Sequence, residues 1–251
     1  MITEELPQQL REFLENYFTH FTNNIPLTRP YITLSYGMSM DGKIATYTGD
    51  SKYISNGLTR AMVHELRHHH DAILVGIQTV EIDHPSLTTR RTQKPNKDAH
   101  RIILDSSLRM KLQEPLLHMV SSAQTMVVCK QTANDEKKKA LETLGVNVLV
   151  DPTSSPSIDL NWLMQTLHQH GIRSLLVEGG GTVHFSFIKN DLFDDIFAQI
   201  SPLILGGKDA KSPVEGQGFA TLKEATRVAF EKYFQVGSDR VVYAKNLARE
   251  S

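Results

Sequence analysis

Among 251 residues there is a single cysteine, Cys129, which excludes an internal disulfide and any zinc site built from several thiolates. Neither sign of charge is in excess: 27 Lys and Arg stand against 28 Asp and Glu, a formal net charge of −1. No basic block stands out, so nucleic acid is not an expected partner. Long apolar runs are also missing, and none nears the ~20 residues of a membrane span. The first stretch, "MITEELPQQLREFLENYF", is acidic and amphipathic, unlike a signal peptide. Together these absences predict a cytoplasmic chain with no metal, no membrane and no nucleic acid. What is present is ordinary for a globular protein, 40% hydrophobic and 22% charged residues. The length allows one large α/β domain or two small ones with a sizeable core.

Apolar positions at Leu6, Leu10, Phe13, Leu14, Tyr17 and Phe18 predict a helix over 3–22, and "TNNIPLTRP" reads as a linker. The helical stripe suits either the main body or a partner. Residues 1–28 are therefore assigned to an N-terminal helical extension and linker, and 29–251 to one domain. From Pro30 onward strands and helices alternate. Strand-like runs are "YITLSYGM", "DAILVG", "HRIILD", "TMVVCK", "VNVLV" and "RSLLVE". Helical stretches lie between them, with Ser55 as an expected N-cap and Gly145 and Gly171 as expected helix ends. Alternation of this kind predicts an α/β fold, a largely parallel sheet flanked by helices. The C-terminal runs "DDIFAQISPLIL", "ATRVAFEKYFQVG" and "DRVVYAKN" carry little helix, so antiparallel strands are expected at one edge.

The stretch "LLVEGGGTVHFSFIKN" places three contiguous glycines, Gly179–Gly181, between a strand pattern and a helix pattern. Ordering glycine is entropically costly. Either the junction is a tight strand-to-helix turn, or bare backbone amides at a helix start meet a phosphate. A Rossmann fingerprint does not fit: the glycines are contiguous and late in the chain, and position 199 is Gln. "LGGKDAK" is no P-loop either. His64 and His68–His70 invite a metal reading, but no H-E-x-x-H pattern exists and they read as a solvated helix end. Two loops, 38–55 and 77–91, follow strand ends, where ligands of open α/β sheets collect. Their Ser51, Asp83 and Arg90 suggest a polar, phosphorylated small molecule.

The segments "PYITLSYGMSMDGKIATYTGDSKYIS", "ILVGIQTVEIDHPSLTTR", "RIILDSSLR", "LLVEGGGTVHFSFI" and "ISPLILGG" occur in that order over roughly residues 30–245. Together they resemble the reductase family of riboflavin biosynthesis, which is the C-terminal half of the bifunctional deaminase–reductase or stands alone in some lineages. The resemblance implies a dihydrofolate-reductase-like mixed sheet, a homodimer, and NADPH as cofactor. It implies reduction of the ribosyl group of a 5′-phosphorylated ribosylaminopyrimidine to ribityl, by hydride transfer to C1′ of the ring-opened Schiff base. On this resemblance the cofactor positions are Gly37, Tyr53, Thr79, Asp83, Ser106, Gly179, Gly180, Gly181, Thr182 and Val183. Ser107 and Arg109 could join Ser106 on a 2′-phosphate. The substrate positions are Ser51, Arg67, Leu87, Arg90 and Glu178, the two arginines suiting a phosphate through forked hydrogen bonds. Asp83 and Glu178 are the candidates for the catalytic acid. Tyr53 stands where many members have Trp, His84 where Asp or Asn is usual, and Ser35 where many bifunctional members have Lys. The last leaves open which pyrimidine fits. The zinc-dependent deaminase half is missing. The alternatives are an NADPH reductase of this fold acting on another pterin- or pyrimidine-like substrate, and a non-catalytic nucleotide-binding module.

Overall fold

The computed structural model describes residues 5–249 except residue 93. The chain runs α1 (Gln8–Asn23), β1 (Tyr31–Ser39), α2 (Gly57–His69), β2 (Ala72–Gly76), α3 (Ile77–Asp83) and β3 (His100–Leu104). It continues with β4 (Thr125–Lys130), α4 (Asp135–Thr143), β5 (Asn147–Asp151), α5 (Leu160–Gln169), β6 (Ser174–Gly179) and α6 (Gly181–Lys189). β7 (Asp195–Ser201), β8 (Val228–Val236) and β9 (Asp239–Asn246) complete it.

The nine strands form one sheet in the order β5-β4-β3-β2-β6-β1-β7-β9-β8. Pairing is parallel from β5 through β7 and antiparallel where β9 meets β7 and β8. This is the expected mixed sheet with antiparallel C-terminal strands. β2 and β4 are buried at every position, which is why they read as unbroken apolar runs rather than alternating ones. The strand period of two sorts their side chains between two faces. Ile32, Leu34, Leu74, Ile102, Val128 and Val177 meet α5 and α6 through Leu163, Leu167 and Phe187. On the other face Ile73, Val75, Ile103 and Val127 pack with Val80 of α3 and Leu141 of α4. Cys129 belongs to this second layer, and burial pushes its thiol pKa up, so it is inert as a nucleophile.

The N-terminal stripe packs on the body. Leu10, Leu14, Tyr17 and Phe21 of α1 are buried beside Met62 and Leu66 of α2, Phe197, Phe234 and Tyr243. Residues 3 and 4, where the predicted helix begins, lie outside the described residues. Beneath α1 sits a sealed polar cluster. Tyr31 Oη donates to Asp195 Oδ2 at 2.8 Å, while Tyr17 and Tyr243 approach the same carboxyl at 3.3 Å. Thr33 Oγ1 lies 2.6 Å from Tyr17 Oη and 3.0 Å from His70 Nε2. Burial, with the charge of Asp194 acting the same way, pushes the Asp195 pKa up to about 7.

Four sequence expectations change. Asn56, not Ser55, caps α2: its Oδ1 accepts from Thr59 N at 3.0 Å, and its amide also reaches Val236 O. Residues 77–83, read as loop, form α3, because Ile77 and Val80 turn into the second core layer. His70 is fully buried rather than solvated, and His69 stacks on Phe18 with centroids 3.7 Å apart. The run "IFAQIS", expected among antiparallel strands at the edge, lies inside the sheet as β7 with a parallel neighbour in β1, and the edge is β8.

Candidate active site at the carboxyl ends of the strands

β2, β6 and β1 end side by side at Gly76, Gly179 and Ser39. The three contiguous glycines there do three different things. Gly179 has φ of +122°, a backbone region that L side chains rarely enter. A Cβ on Gly181 would lie 2.5 Å from Ser212 O and 2.7 Å from Glu215 Cγ, so that glycine is demanded by packing. Gly180 has neither constraint: its φ is −76°, and an added Cβ would meet only Thr79 Oγ1, at 3.7 Å. The 179–180 peptide is cis. α6 begins at Gly181 with no side-chain cap, so the amides of its first turn, Gly181, Thr182 and Val183, lack the partners that a helix interior supplies. Val183 in turn packs against Gly76, where a Cβ would meet its Cγ2 at 2.9 Å.

Two polar pairs flank this turn. Ser51 Oγ donates to Asp83 Oδ1 at 2.7 Å, joining the β1–α2 loop to the end of α3. Arg67 of α2 clamps Glu178 at the end of β6 with Nε–Oε1 of 2.8 Å and Nη2–Oε2 of 2.6 Å, both side chains largely buried. Burial works against the Arg67 charge, but Glu178 more than offsets it and the guanidinium pKa is raised. Arg67 Nη1 also donates to Thr88 O at 3.0 Å, which holds the loop that carries Leu87 and Arg90. Arg90 is exposed, and its backbone N donates to His64 Nδ1 at 3.3 Å.

Among the described residues five non-glycines have positive φ, and three of them, Tyr53, His84 and Leu87, sit in these two loops. Such conformations cost about 1–3 kcal/mol each and gather at functional sites. Leu87 is buried there, while Tyr53 is exposed under the guanidinium of Arg60, 4.9 Å from the ring centroid. His84 Nδ1 meets the buried Glu114 at 2.8 Å. Gly37 of β1 faces Ser55, whose Oγ an added Cβ would meet at 2.6 Å. Ser35 accepts from buried Gln199 Nε2 at 3.0 Å. Ser106 lies in the turn after β3, one strand beyond β2, and Arg109 in the same turn pairs with Glu81 of α3 at 3.3 Å.

Sequence reasoning missed the residues that close the site. The segment 203–216 straps across the strand ends. Asp41 accepts from Ser39 Oγ, Leu205 N and Gly206 N, which together pull its pKa down to about 2. His184 bridges Val177 O and Pro213 O through its two ring nitrogens, and Glu215 N donates to Gly181 O. No local motif signals the contacts to this strap, since its residues lie about 30 to 165 positions from their partners. Among the described residues no group of three or more His, Cys, Asp or Glu converges as a metal site, and no helix is long and apolar enough to cross a membrane.

The family model for the RibD C-terminal domain matches residues 30–242. The chain belongs to that family. It is 35% identical over 241 residues to the riboflavin biosynthesis protein RibD of Actinobacillus pleuropneumoniae, covering 95% of this chain and 62% of the relative. It is also 35% identical over 215 residues to a 2,5-diamino-6-ribosylamino-4(3H)-pyrimidinone 5′-phosphate reductase of Methanothermobacter thermautotrophicus, covering 85% of this chain and 97% of that protein. The solved structure of Acinetobacter baumannii RibD superposes with a TM-score of 0.75 at 26% identity, over 88% of this chain and 58% of that one. The chain thus spans about three fifths of the RibD proteins it matches and nearly all of the stand-alone reductase.

Proposed function

We propose that this RibD C-terminal domain is an NADPH-dependent reductase that converts the ribosyl group of a 5′-phosphorylated ribosylaminopyrimidine to ribityl. The observation that carries the reading is the pair of polar contacts Ser51–Asp83 and Arg67–Glu178 beside the glycine turn: Glu178 directly precedes Gly179, and Asp83 ends the helix whose Thr79 borders Gly180. The Methanothermobacter relative, of which the chain covers 97%, is named a reductase of such a ribosylamino-pyrimidinone 5′-phosphate.

The residues present suit a dinucleotide. The uncapped start of α6 and the open face of Gly180 offer backbone amides to a pyrophosphate, Thr79 borders that face, and Ser106, Ser107 and Arg109 offer donors for a 2′-phosphate. When bound, the cofactor supplies a hydride for C1′. The reduction also needs one proton: opening the ribosyl ring breaks C1′–O4′ and forms the C1′=N imine, the proton of the nitrogen passing to O4′, and one further proton must reach the nitrogen as C1′ is reduced. Of the two candidate acids, Glu178 has both oxygens occupied by Arg67, and its role is to hold that guanidinium in place. Asp83 uses only Oδ1, on Ser51, which leaves Oδ2 available to relay the proton. Geometry favours Asp83.

A homodimer is part of this proposal. β8 is the sheet edge, and its Phe230 and Tyr233, with ring centroids 5.9 Å apart, are 66% and 65% exposed. Such an unpaired aromatic edge calls for a cover, and a monomer mass by light scattering at micromolar concentration would remove this part.

The deciding experiment is NADPH consumption with the deaminated and non-deaminated aminopyrimidine phosphates, with product mass rising by two hydrogens. NADPH is expected to bind more tightly than NADH by fluorescence titration. Binding without turnover of either pyrimidine would transfer the assignment to another pterin- or pyrimidine-like substrate.

A further inference from the structure

The proposed phosphate site is short of positive charge. Three of the five N–H groups of Arg67 are already used, two on Glu178 and one on Thr88 O, and its charge is matched by that carboxylate. A phosphate monoester is nearly a dianion at neutral pH, so Arg90 alone cannot neutralise it.

α2 carries what is missing. Arg60, His64 and Arg67 fall at i, i+4 and i+7, which is one face of a helix. Among the described residues Arg60 and Arg90 enter no ion pair with a carboxylate. Arg60 lies over the Tyr53 ring and donates to Ser55 O. His64 faces the 88–91 loop, its Nδ1 accepting from Arg90 N. His64 and Arg90 share the wall of an open cavity of about 1430 Å³ between α1, α2 and residues 89–96. Its other charged groups offset one another: Arg11 pairs with Glu5, and Arg91 with Glu65, while Glu15 and Lys94 are one charge of each sign and His69 is stacked on Phe18.

We infer that His64, with Arg60 beside it, completes the anion site next to Arg67 and Arg90, and that a bound dianion brings one proton with it onto His64. The inference rests on the proposed function. Without an anion His64 is neutral: burial, followed by the charges of Arg67, Arg90 and Arg60, pulls its pKa down to about 4. A dianion reverses those charges and favours the imidazolium. The proton, taken from solvent, goes to Nδ1 and ends the bond from Arg90 N. Imidazole and amide then become two donors on one anion oxygen. His64 is thereby a binding residue whose charge appears only with the ligand.

The test uses sulfate, which stays a dianion across the pH range where phosphate titrates. Calorimetric titration of wild type is expected to show sulfate binding that tightens about tenfold from about pH 7.5 to about 5.5, with proton uptake revealed by comparing buffers of different ionisation enthalpy. His64→Gln keeps an acceptor for Arg90 N but cannot charge. It should bind sulfate with no proton uptake and a flat pH dependence. The His64 Cε1 proton shift, followed by NMR in wild type, gives the same answer without a variant and should move only when sulfate is present. Binding that is abolished in Arg90→Ala yet has equal slopes in wild type and His64→Gln would overturn this inference alone and leave His64 as an anchor for the Arg90 backbone. No sulfate or ribose 5-phosphate binding to wild type would overturn the phosphate reading and this inference with it.

Discussion

Two carboxylates of this fold are both withdrawn from water, and they are handled in opposite ways. Asp195, under α1, is ringed by the hydroxyls of Tyr17, Tyr31 and Tyr243 and, among the described residues, enters no ion pair. Glu178, at the end of β6, is gripped by both faces of the Arg67 fork. Burial without a counter-charge favours the neutral acid, so the α1 cluster is a neutral, sealed joint. Burial against an arginine keeps both charges and leaves N–H groups over, so the β6 end remains an open electrostatic device. The difference is one of topology. Asp195 begins β7 at the amino end of the parallel strands, roofed by a helix, whereas Glu178 sits at the carboxyl end, where ligand sites of such sheets form.

The most damaging way to break that contrast is Arg67→Ala. It leaves Glu178 buried without a partner and frees Thr88 O, so stability should fall by about 3 kcal/mol or more, read as a lower urea midpoint. Turnover should fall at least a hundredfold, because the loop carrying Leu87 and Arg90 loses its tether. Arg67→Lys should rescue stability in part and turnover little, since an ammonium cannot reproduce a two-point fork. Wild-type turnover in Arg67→Lys would show that the fork does not matter.

The sealed region should respond to pH instead. The native Asp195 holds its proton to about pH 7, against an ordinary value of 3.8. Between these values the folded state binds more protons than the unfolded one. The contribution of Asp195 is therefore complete below about pH 4 and lost as pH climbs through 7, to the extent of roughly 2–4 kcal/mol. His64, His69 and His70, all pulled down to about 4 by burial first, act with the opposite sign and cost stability as pH falls below 6.5. The useful quantity is hence the difference between wild type and Asp195→Asn, whose amide does not titrate. Wild type should gain on the variant as pH falls from 7.5 to 5 (urea midpoints at each pH), while kcat/KM of the variant stays near wild type. A constant difference would mean that Asp195 is ionised in the fold.

The two regions were not equally legible in the sequence. The sheet, its antiparallel edge and the glycine turn follow from local patterns: apolar runs, helix-ending glycines such as Gly145 and Gly171, and the family order of motifs. α1 was readable as an amphipathic helix, but its partner was not, because Tyr17 finds Thr33 and Asp195 only through tertiary packing. In the site, Ser51, Asp83, Arg67 and Glu178 could be named from motif position, yet their pairing could not. Residues 51 and 83 are joined by a loop meeting a helix end, and residues 67 and 178 by strand order. Asp41 and His184 gave no signal, since their partners, the amides of Leu205 and Gly206 and the carbonyl of Pro213, lie far along the chain, and Arg60 gave none because its partners, the Tyr53 ring and Ser55 O, form no recognisable motif. The α3 helix was hidden because seven residues carry too few turns for a period to show.

A smaller effect tests the glycine turn. Gly180→Val should weaken NADPH and NADH alike by about tenfold, with the fold unchanged, because its β-carbon meets only Thr79 Oγ1 in the protein itself. Gly181→Val, by contrast, collides with Ser212 O and Glu215 and should lower thermal stability as well. Fluorescence titration beside thermal melting separates the two. If both variants lose stability equally, Gly180 is there for packing, and the turn loses its claim on a phosphate.

The smallest effect is expected at Ser51→Ala, and it bears directly on the choice of acid. The hydroxyl donates one 2.7 Å hydrogen bond to Asp83 Oδ1, and that bond fixes the direction of the carboxylate. Removing it costs about 1 kcal/mol of interaction, near fivefold in rate if it acts in the transition state. Stability should hardly change, since Ser51 lies in a partly exposed loop. If Asp83 is the proton carrier, losing this donor leaves its carboxylate free to swing, so kcat should fall while the substrate KM moves less. If Glu178 were the carrier, Ser51→Ala would change KM through the loop and leave kcat where it was. Comparing kcat and KM of the two proteins with saturating NADPH therefore distinguishes Asp83 from Glu178, which Asp83→Asn cannot do because it removes proton transfer and the Ser51 anchor together.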